Sequence, residues 1–579
     1  MRSILRSAMA LAVAIVPLTI MARANDAPAQ RCFENRGSRF NEVLACYRAA
    51  EASQPLAYAA KDVTRLPGLQ KRRFELISQS WPQNGIASPV SWKHDVDIYI
   101  PDDALTGRAI LISNNGINIP SDNNGARPSS DFTEATSMTI ALKTKTIVIS
   151  VGNNPNQYLT YADDGIARRE DSSVAHSWAL FMQAPDRRPF MSLHVPMMEA
   201  MVKTMDLAEK ELQPWKIHSF IATGTSKRAW GAWLAAIADT RIEAIVPFVI
   251  DVLGTGKVLD HTYRTYGGNW PLAFMDYHRE GITTQRKTEK FDKLMRIEDP
   301  LRYLGSAYAR RLAIPKYIVN ASGDDFFVPD NARFYFDQLP GAKALRVAPN
   351  SDHYGVRDYV ENSLITFTNR LQNSIALPTL TMQWTENVVK GGRIDNVMRL
   401  GFSETPVEIV QWVAANPLAR DFRYACGIRY EAIPISPGEN VTVSMTTPDK
   451  GWKSSFVEAK FADGLVVTTP ARVFSDIYPA APPPALGSAC RTIADSAIHA
   501  PSLSQDANVH ATFTWRAWAD SEYLADRDAG IDAARLCTRA KGQVVGQESL
   551  GTRMLGNGTW HATTRVTCLM DQQAAPAAA

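Results

Sequence analysis

The chain has 579 residues, of which 62 are Lys or Arg and 59 are Asp or Glu, giving a formal net charge of +3. Three of the basic residues, Arg2, Arg6 and Arg23, lie within residues 1–24, which contain no acid. Without that segment the charges balance, which argues against nucleic acid or an anionic membrane as a partner. The remaining length exceeds that of one ordinary hydrophobic core, so we expect two or three domains.

Residues 1–24 have the features of a secretory signal peptide. Two arginines precede an apolar run over residues 8–21, and residues 22–24 (Ala-Arg-Ala) form a cleavage site of the A-x-A type. The run is short for a membrane-spanning helix, which needs ~20 residues. We therefore predict a periplasmic or secreted protein of a Gram-negative bacterium, without stable membrane insertion.

Cysteines in an exported chain can form disulfides. Proximity in sequence predicts Cys32 with Cys46 across an N-terminal helical hairpin and Cys537 with Cys568 near the C-terminus, which leaves Cys426 with Cys490. Other pairings stay open, because sequence alone does not determine connectivity. We predict no metal, since the chain has no Cys-x-x-Cys and no clustered His/Cys spacing. We also predict no cofactor, since phosphate-loop and dinucleotide motifs are missing.

From about residue 92 the chain alternates strand-like and helix-like segments. Residues 94–100 alternate polar and apolar side chains, as a half-buried strand does. Compact runs rich in Ile and Val, typical of buried parallel strands, occupy residues 108–113, 146–151, 217–223, 242–250 and 314–320. Strands that alternate with helices predict a doubly wound α/β sheet. From about residue 378, short β-rich runs separated by turns predict a β-sandwich.

The stretch from Ile217 to Trp230 contains the strongest functional motif. A short apolar run leads into Gly224-Thr225-Ser226, and a helical pattern follows at once. An α/β-hydrolase presents its nucleophile in this way, on a tight turn that exposes the serine hydroxyl beside a helix N-terminus. Arg228 stands where the G-x-S-x-G motif has its second glycine. Because Gly-x-Ser alone is common, it is the position between strand and helix that predicts Ser226 as a nucleophile.

A serine nucleophile needs a base and an acid that orients the base, and in this fold they follow the serine in the order acid, then His. His353 lies in a loop between a strand-like run and a helical pattern, where the base is expected. Asp324 and Asp325 lie in the loop after residues 314–320. Many α/β-hydrolases carry the acid four residues before a proline in this loop, which favours Asp325, while Asp251 is a third alternative.

The oxyanion of such a reaction needs backbone N–H donors. Lys227 N–H follows the nucleophile directly, and Asn115 or Gly116, in the loop after residues 108–113, would supply the second donor. The alternative interpretation of Asn115-Gly116 is an ordinary Asn-Gly turn.

Five further residues are candidates for substrate binding. Glu170 and Asp171 could hold a substrate amine, although their position also favours the first turn of a helix that starts near residue 172. His261, Tyr266 and Trp270 lie in a long connection rich in aromatic residues, and we expect them to line the pocket or a cap over it.

Several blocks of the chain resemble the PhoPQ-activated pathogenicity-related proteins over roughly residues 35–480. The elbow Ser226-Lys227-Arg228-Ala229-Trp230 is similar to the family's Ser-Lys-Arg-Gly-Trp, with Ala229 in place of glycine. Further matching blocks are Ser80-Trp81-Pro82, Ser91-Trp92-Lys93-His94, Asn154-Pro155-Asn156-Gln157, residues 169–178, residues 261–270, Gly323-Asp324-Asp325-Phe326-Phe327, Leu339-Pro340-Gly341, Pro349-Asn350 and Arg420-Asp421-Phe422-Arg423. The resemblance implies an α/β-hydrolase domain followed by a β-sandwich, accounts for Arg228, and favours Asp324 as the acid. It implies no substrate.

The predicted organisation has four parts. They are a signal peptide (1–24), an α/β-hydrolase domain with an N-terminal helical extension (25–375), a β-sandwich (376–480) and a small disulfide-containing segment of unknown role (485–579). The predicted function is an exported serine hydrolase that cleaves an ester or peptide acyl bond of a small-molecule or peptide substrate. The alternative is a non-catalytic binding or signalling protein on the same scaffold, linked to virulence or envelope stress. The sequence predicts no oligomeric state.

Overall fold

The computed structural model describes residues 26–82, 85–117, 127–388, 394–484, 490–494, 510–519, 529, 542–554 and 560–570. Within these ranges the helices are α1 Asp26–Asn35, α2 Val43–Ala52, α3 Glu134–Thr144, α4 Glu170–Gln183, α5 His194–Glu211, α6 Lys227–Ala238, α7 Thr255–Thr265, α8 Met275–Arg279, α9 Ile282–Gln285, α10 Glu289–Glu298 and α11 Val360–Gln372.

The strands of the same ranges fall into an earlier and a later group. The earlier strands are β1 Ala57–Leu66, β2 Leu69–Ser80, β3 Ala87–Ser88, β4 Ser91–Pro101, β5 Arg108–Ser113, β6 Ile147–Val151, β7 Leu159–Tyr161, β8 Ala167–Arg168, β9 Ser219–Thr225, β10 Ile242–Phe248, β11 Asn269–Pro271, β12 Lys316–Ala321 and β13 Lys343–Ala348. The later strands are β14 Leu380–Val388, β15 Ile394–Phe402, β16 Glu408–Asn416, β17 Glu431–Ile435, β18 Asn440–Thr446, β19 Trp452–Lys460, β20 Val466–Thr468, β21 Arg472–Phe474, β22 Thr492–Ala494, β23 His510–Ala519, β24 Gly542–Met554 and β25 Trp560–Met570.

The main sheet has the strand order β1-β2-β4-β6-β5-β9-β10-β12-β13. Its first strands pair antiparallel as far as β6, and from β6 onward the neighbours run parallel. This is the strand arrangement of an α/β-hydrolase and confirms the predicted fold class. The apolar runs did not indicate β1, because nearly all of its residues are exposed.

The two faces of the sheet are covered by different helices. Along β5, Leu111 packs in one core with residues of α5 and α6, whereas Ile110 and Ile112 pack in the other with residues of α3 and α11. Alternate strand residues point to opposite faces, and both faces are covered, so the parallel strands are continuous apolar runs. That is why their positions could be predicted from the sequence.

The predicted β-sandwich consists of the sheet β14-β15-β18 and the sheet β17-β16-β19-β20, with β21 also paired to β19. Apolar residues of the two sheets, among them Leu400 and Val457, belong to one buried cluster that also includes residues of the main sheet. Hydrogen bonds cross between the two units, such as the one from Val347 N–H to Thr468 Oγ1 at 3.0 Å. The sandwich therefore packs directly on the edge of the main sheet.

The C-terminal part of the chain contacts the α/β-hydrolase part through β22. Strand β22 pairs antiparallel with β11, and the disulfide Cys426–Cys490 ties its start to the loop before β17. Strands β23, β25 and β24 form a separate antiparallel sheet.

The disulfides Cys32–Cys46 and Cys426–Cys490 confirm two of the predicted pairings. The third involves Cys537, which lies outside the described residues, as does the predicted signal peptide. In the described part of the chain, no helix combines the length and apolar character that crossing a bilayer requires. The predicted domain boundaries stay predictions.

Candidate functional site

Ser226 occupies the turn between β9 and α6 with a strained backbone, φ 53° and ψ −128°. A positive φ is uncommon for a residue with a side chain and persists where the surrounding structure enforces it. Here the Ser226 N–H donates to the carbonyl of Phe248 on the neighbouring strand β10 at 2.9 Å. The geometry is that of a nucleophile elbow, which presents a serine hydroxyl at the carboxyl edge of the sheet.

The residues around the elbow explain its departure from G-x-S-x-G. A Cβ on Gly224 would lie 2.8 Å from the backbone carbon of Arg228, so the turn requires glycine at this position. Arg228 itself is buried, and its guanidinium donates to Glu170 at 2.6 Å and to Asp131 at 3.4 Å. The side chain that replaces the second glycine therefore anchors the elbow through ion pairs at the cavity wall.

His353 follows β13, and its Nδ1 lies 2.9 Å from Oδ2 and 3.0 Å from Oδ1 of Asp324, in the turn after β12. Both side chains are buried. Burial alone would lower the pKa of His353, but the charge and hydrogen bond of Asp324 raise it above the ordinary value. With Nδ1–H donating to the carboxylate, the neutral imidazole keeps Nε2 as a proton acceptor.

Asp324 also organises its own loop. Its Oδ1 accepts hydrogen bonds from the N–H groups of Phe326 at 2.8 Å and Phe327 at 3.2 Å. The same carboxylate thus caps a turn and holds the histidine ring, while the ring centroid of Phe326 lies 4.8 Å from that of His353.

The other two carboxylates considered for this position have different surroundings. Asp325 lines the cavity beside the histidine, and burial together with the charges of Asp352 and Asp324 raises its pKa to about 7. Asp251 accepts a hydrogen bond from the Tyr335 hydroxyl at 2.5 Å, and burial is the main reason why its pKa rises to about 8. The structure brings Asp324, not these two, into hydrogen-bond contact with His353.

The loop after β5 approaches the elbow from the opposite side. Asn115 and Gly116 both line the cavity. The N–H of Asn115 donates to Asn114 Oδ1 at 3.0 Å, so an internal partner already occupies it. Gly116 has φ +117°, a conformation that favours glycine, and a Cβ there would lie 3.1 Å from the Arg127 carbonyl. Lys227 N–H belongs to the first turn of α6, where amides lack intrahelical acceptors.

An ion-pair network joins the elbow to α4 and to Asp131 along the cavity wall. Lys227 Nζ lies 3.0 Å from Glu170 and 2.9 Å from Asp171, which belong to the first turn of α4 as one interpretation expected. Burial alone would raise the pKa of Glu170, but the charges of Arg228 and Lys227 hold it well below its usual range. Asp131 accepts from Thr225 Oγ1 at 2.6 Å and pairs with Arg228. These carboxylates are neutralised by cations of the elbow.

A cavity of about 770 Å³ lies over the elbow, and Ser226, Lys227 and His353 line it. This volume is within the usual range for a small-molecule site. His261, Tyr266 and Trp270, predicted as pocket residues, are buried and are not among the described residues that line it.

Each of these three residues instead has a structural partner outside the cavity lining. His261 lies between Asp330 at 2.9 Å and the Tyr478 hydroxyl at 2.8 Å. The ring of Tyr266 lies under the Arg423 guanidinium, 5.0 Å away, and Trp270 belongs to the ribbon of β11 and β22. An aromatic-rich connection is equally suited to a core, and sequence alone did not distinguish the two.

Later parts of the chain form walls of the cavity that the sequence did not predict. The loop from Arg423 to Arg429 and the C-terminal residues Arg553 and His561 all line the cavity. His561 is buried, with 5% of its area exposed. The resemblance did not extend to the last segment, and nothing local in its sequence indicates which part of the fold it contacts.

The described residues include two groups with potential metal ligands. In the first, Asp421 lies beside Cys426 and Cys490, whose sulfurs form a disulfide and are not available to a metal. The second combines the exposed Asp163 and Asp164 with the buried His176; there Arg168 pairs with Asp164, and Glu280 with His176. Neither group indicates a metal centre.

Comparison with known proteins gives a consistent picture. A family model described as "PhoPQ-activated pathogenicity-related protein" matches residues 44–423. A curated relative, "Autocrine proliferation repressor protein A" of Dictyostelium discoideum, is 29% identical over 407 residues, which cover 67% of this chain and 80% of that protein.

Similar solved structures include two esterases. An acetyl xylan esterase from Paenibacillus sp. R4 has a TM-score of 0.39 and 12% identity, covering 57% of this chain and 93% of that one. A glucuronoyl esterase from Solibacter usitatus has a TM-score of 0.32 and 15% identity, covering 55% and 86%. At these TM-scores the two enzymes say nothing about the substrate of this chain.

Proposed function

The chain belongs to the PhoPQ-activated pathogenicity-related protein family, and we propose that it is an exported serine hydrolase that cleaves an ester or peptide acyl bond. The observation that carries the proposal is the contact of His353 Nδ1 with Asp324, at 2.9 Å, on the wall of the cavity that Ser226 also lines. A nucleophile on an elbow, a buried imidazole and its orienting carboxylate are the parts that acyl transfer through serine requires. The disulfides support export, because such bonds persist in oxidising compartments.

Each residue has a defined role in this mechanism. Ser226 Oγ attacks the acyl carbon while His353 Nε2 takes the hydroxyl proton, and Asp324 stabilises the imidazolium that forms. The same proton then passes to the leaving alcohol or amine, which departs and leaves an acyl-enzyme on Ser226. Water, deprotonated by His353, attacks the acyl-enzyme and releases the acid and the free serine.

The negative charge that develops on the acyl oxygen needs two N–H donors. We assign Lys227 N–H as the first. For the second we assign Gly116 N–H, because the amide of Asn115 is already engaged by Asn114. The positive end of α6 adds to the stabilisation.

The ion pairs of Glu170 and Asp171 with the elbow favour an ester over a peptide with a free amino terminus. Capture of a substrate amine needs a carboxylate with an unmet charge. Glu170 and Asp171 instead lie within 3.0 Å of Lys227 Nζ, and Glu170 also accepts from Arg228 at 2.6 Å. We therefore favour an ester substrate and assign Glu170 and Asp171 to the support of the elbow.

The second candidate function is partner binding or signalling without catalysis. It draws on the name of the Dictyostelium relative, a proliferation repressor, and on the β-sandwich, which could offer an interaction surface. The hydrolase remains our first proposal, because a purely binding protein has no need for a strained serine beside an Asp-oriented imidazole.

The test is covalent labelling of the purified mature protein with a neutral fluorophosphonate probe. We expect rapid labelling of the wild type and none of Ser226→Ala, since the probe reacts only with an activated serine. His353→Ala should lose labelling by at least about three orders of magnitude, as loss of a general base does in triad enzymes.

Matched controls come from the same cavity. Ser172→Ala and His561→Gln change a serine and a histidine that line it without belonging to the proposed triad. Both should label at close to the wild-type rate. Folded wild-type protein that stays unlabelled would remove the support for catalysis and leave the binding function as the better proposal.

A further inference from the structure

The segment after residue 485 builds one wall of the cavity over Ser226. Ala517 of β23, Arg553 and Met554 of β24 and His561 of β25 all line it. The segment is attached to the rest of the protein at its start: β22 pairs with β11, and Arg423 donates to the carbonyl of Arg491 at 3.1 Å. It therefore forms part of the site.

This wall changes the charge of the cavity. Of the described residues that line it, ten are arginines and one is a lysine, against seven carboxylates. A surplus of positive charge around a cleft attracts and orients anionic molecules.

The carboxylates near the elbow do not contribute free negative charge. Asp131 pairs with Arg228 and Arg357, and Glu170 pairs with Lys227 and Arg228. Two further buried arginines have acidic partners, Arg168 in Asp164 and Arg423 in Asp421 at 2.6 Å. Positive charge without an acidic partner is found among the exposed arginines that line the cavity.

Three exposed arginines contribute to the positive charge of the cavity: Arg429, Arg491 and Arg553. Within the described part of the chain, none of them lies within ion-pair distance of a carboxylate. Arg429 donates to the carbonyls of Tyr424 and Ile428 at 2.8 Å, and its guanidinium lies 3.4 Å from the centroid of the Tyr424 ring. These contacts hold the group in place without neutralising its charge.

The three arginines come from separate parts of the chain, which the fold brings together. Arg429 belongs to the loop before β17, Arg491 precedes β22, and Arg553 is in β24. The disulfide between Cys426 and Cys490 joins the first two segments close to their arginines. We call Arg429, Arg491 and Arg553 the arginine rim.

We propose that the arginine rim binds an anionic group carried by the substrate at a distance from the bond that Ser226 cleaves. This inference rests on the proposed function and specifies its substrate class as esters that bear a carboxylate or a similar oxyanion. The planar guanidinium matches such groups with paired N–H donors, which favours binding over mere attraction. The C-terminal segment is then a specificity element, since it contributes Arg491 and Arg553.

The test compares charged esters with neutral esters of the same shape. The mono-4-nitrophenyl esters of succinic and adipic acid are paired with the corresponding 4-nitrophenyl methyl diesters, and kcat/KM is measured at low ionic strength. We expect wild-type protein to prefer at least one charged ester by about 10-fold or more. The preference should fall on addition of salt, because exposed charges are screened.

Substitutions test which residues cause the preference for charged esters. Arg553→Gln alone should lower kcat/KM for the preferred charged ester by roughly 2- to 5-fold, the range expected of one exposed charge pair. The triple change Arg429→Gln, Arg491→Gln and Arg553→Gln should abolish the preference, so that the charged and the neutral ester of each pair react with similar kcat/KM. Arg399→Gln, an exposed arginine on β15 away from the cavity, is the matched control and should change neither.

Two outcomes separate this inference from the proposed function. If the wild type and the triple variant react equally with the neutral fluorophosphonate but neither prefers a charged ester, the arginine rim is refuted and the hydrolase stands. If the wild type is unreactive, binding of intact mono-4-nitrophenyl adipate to Ser226→Ala protein still tests the rim by calorimetry. Binding that does not weaken in the triple background would overturn the proposal.

Discussion

Replacement of Asp324 by Asn tests which of two adjacent carboxylates orients the base. In the structure, Asp324 lies 2.9 Å from His353 Nδ1, whereas its neighbour Asp325 lines the cavity. An amide in place of Asp324 keeps the shape but no longer stabilises the imidazolium, and it can hold the ring in the wrong tautomer. The expected loss is about 10³- to 10⁴-fold in kcat, or about 4–5 kcal/mol of barrier.

The pH profile gives an independent measure of the same contact. Activity requires neutral His353, so the labelling rate should rise with pH through the pKa of His353, which lies above 6.5 in the folded protein. Asp324 is the main group that raises this pKa, while burial lowers it. In Asp324→Asn the remaining rate should therefore rise at lower pH than in the wild type.

Asp325→Asn is the matched control. It removes the neighbouring carboxyl, whose pKa is about 7, without touching the contact to His353. We expect a rate within about tenfold of wild type and a simpler pH profile, because one ionisation in the neutral range has been removed. The assay is the second-order rate of fluorophosphonate labelling between about pH 5 and 9, a window that brackets an ordinary histidine. A larger loss in Asp325→Asn than in Asp324→Asn would refute the assignment.

Four further changes probe the scaffold. Gly224→Ala places a Cβ 2.8 Å from backbone and should abolish labelling, as measured with the same probe. Arg228→Met leaves Asp131 with Arg357 and Glu170 with Lys227 as their remaining cationic partners and should cost about 1–3 kcal/mol in urea unfolding. Asp251 holds a proton up to about pH 8 when folded but releases it near its ordinary value of 3.8 when unfolded, so wild-type stability should fall as pH rises between those values. Asp251→Asn should reduce the slope of unfolding free energy against pH by up to about 1.4 kcal/mol per pH unit. The variant should still react with the fluorophosphonate probe. An unchanged slope would contradict the burial of the Asp251 carboxyl. Cys426→Ser with Cys490→Ser should lower the unfolding free energy by about 2–5 kcal/mol and weaken kcat/KM for charged esters, since it releases a wall of the cavity.

The sequence by itself determined the architecture around the elbow. The parallel strands are buried on both faces, so they are short continuous apolar runs whose positions could be predicted directly. The order of Ser226, an acid loop and His353 along the chain follows from the fold class, because they follow β9, β12 and β13, parallel strands that end at the same edge of the sheet. Close spacing also predicted the Cys32–Cys46 disulfide.

Only the tertiary structure decided the contacts between groups that are far apart in sequence. Asp324 and Asp325 are neighbours of the same chemistry, and the choice between them depends on which carboxylate the turn after β12 directs toward a histidine 29 residues away. Two further contacts also join distant parts of the sequence. The cations of the elbow pair with the acids of α4, and the C-terminal sheet lines the cavity. Local periodicity reports which side of an element is buried, but not which distant segment covers it, because that depends on how the separate elements pack together.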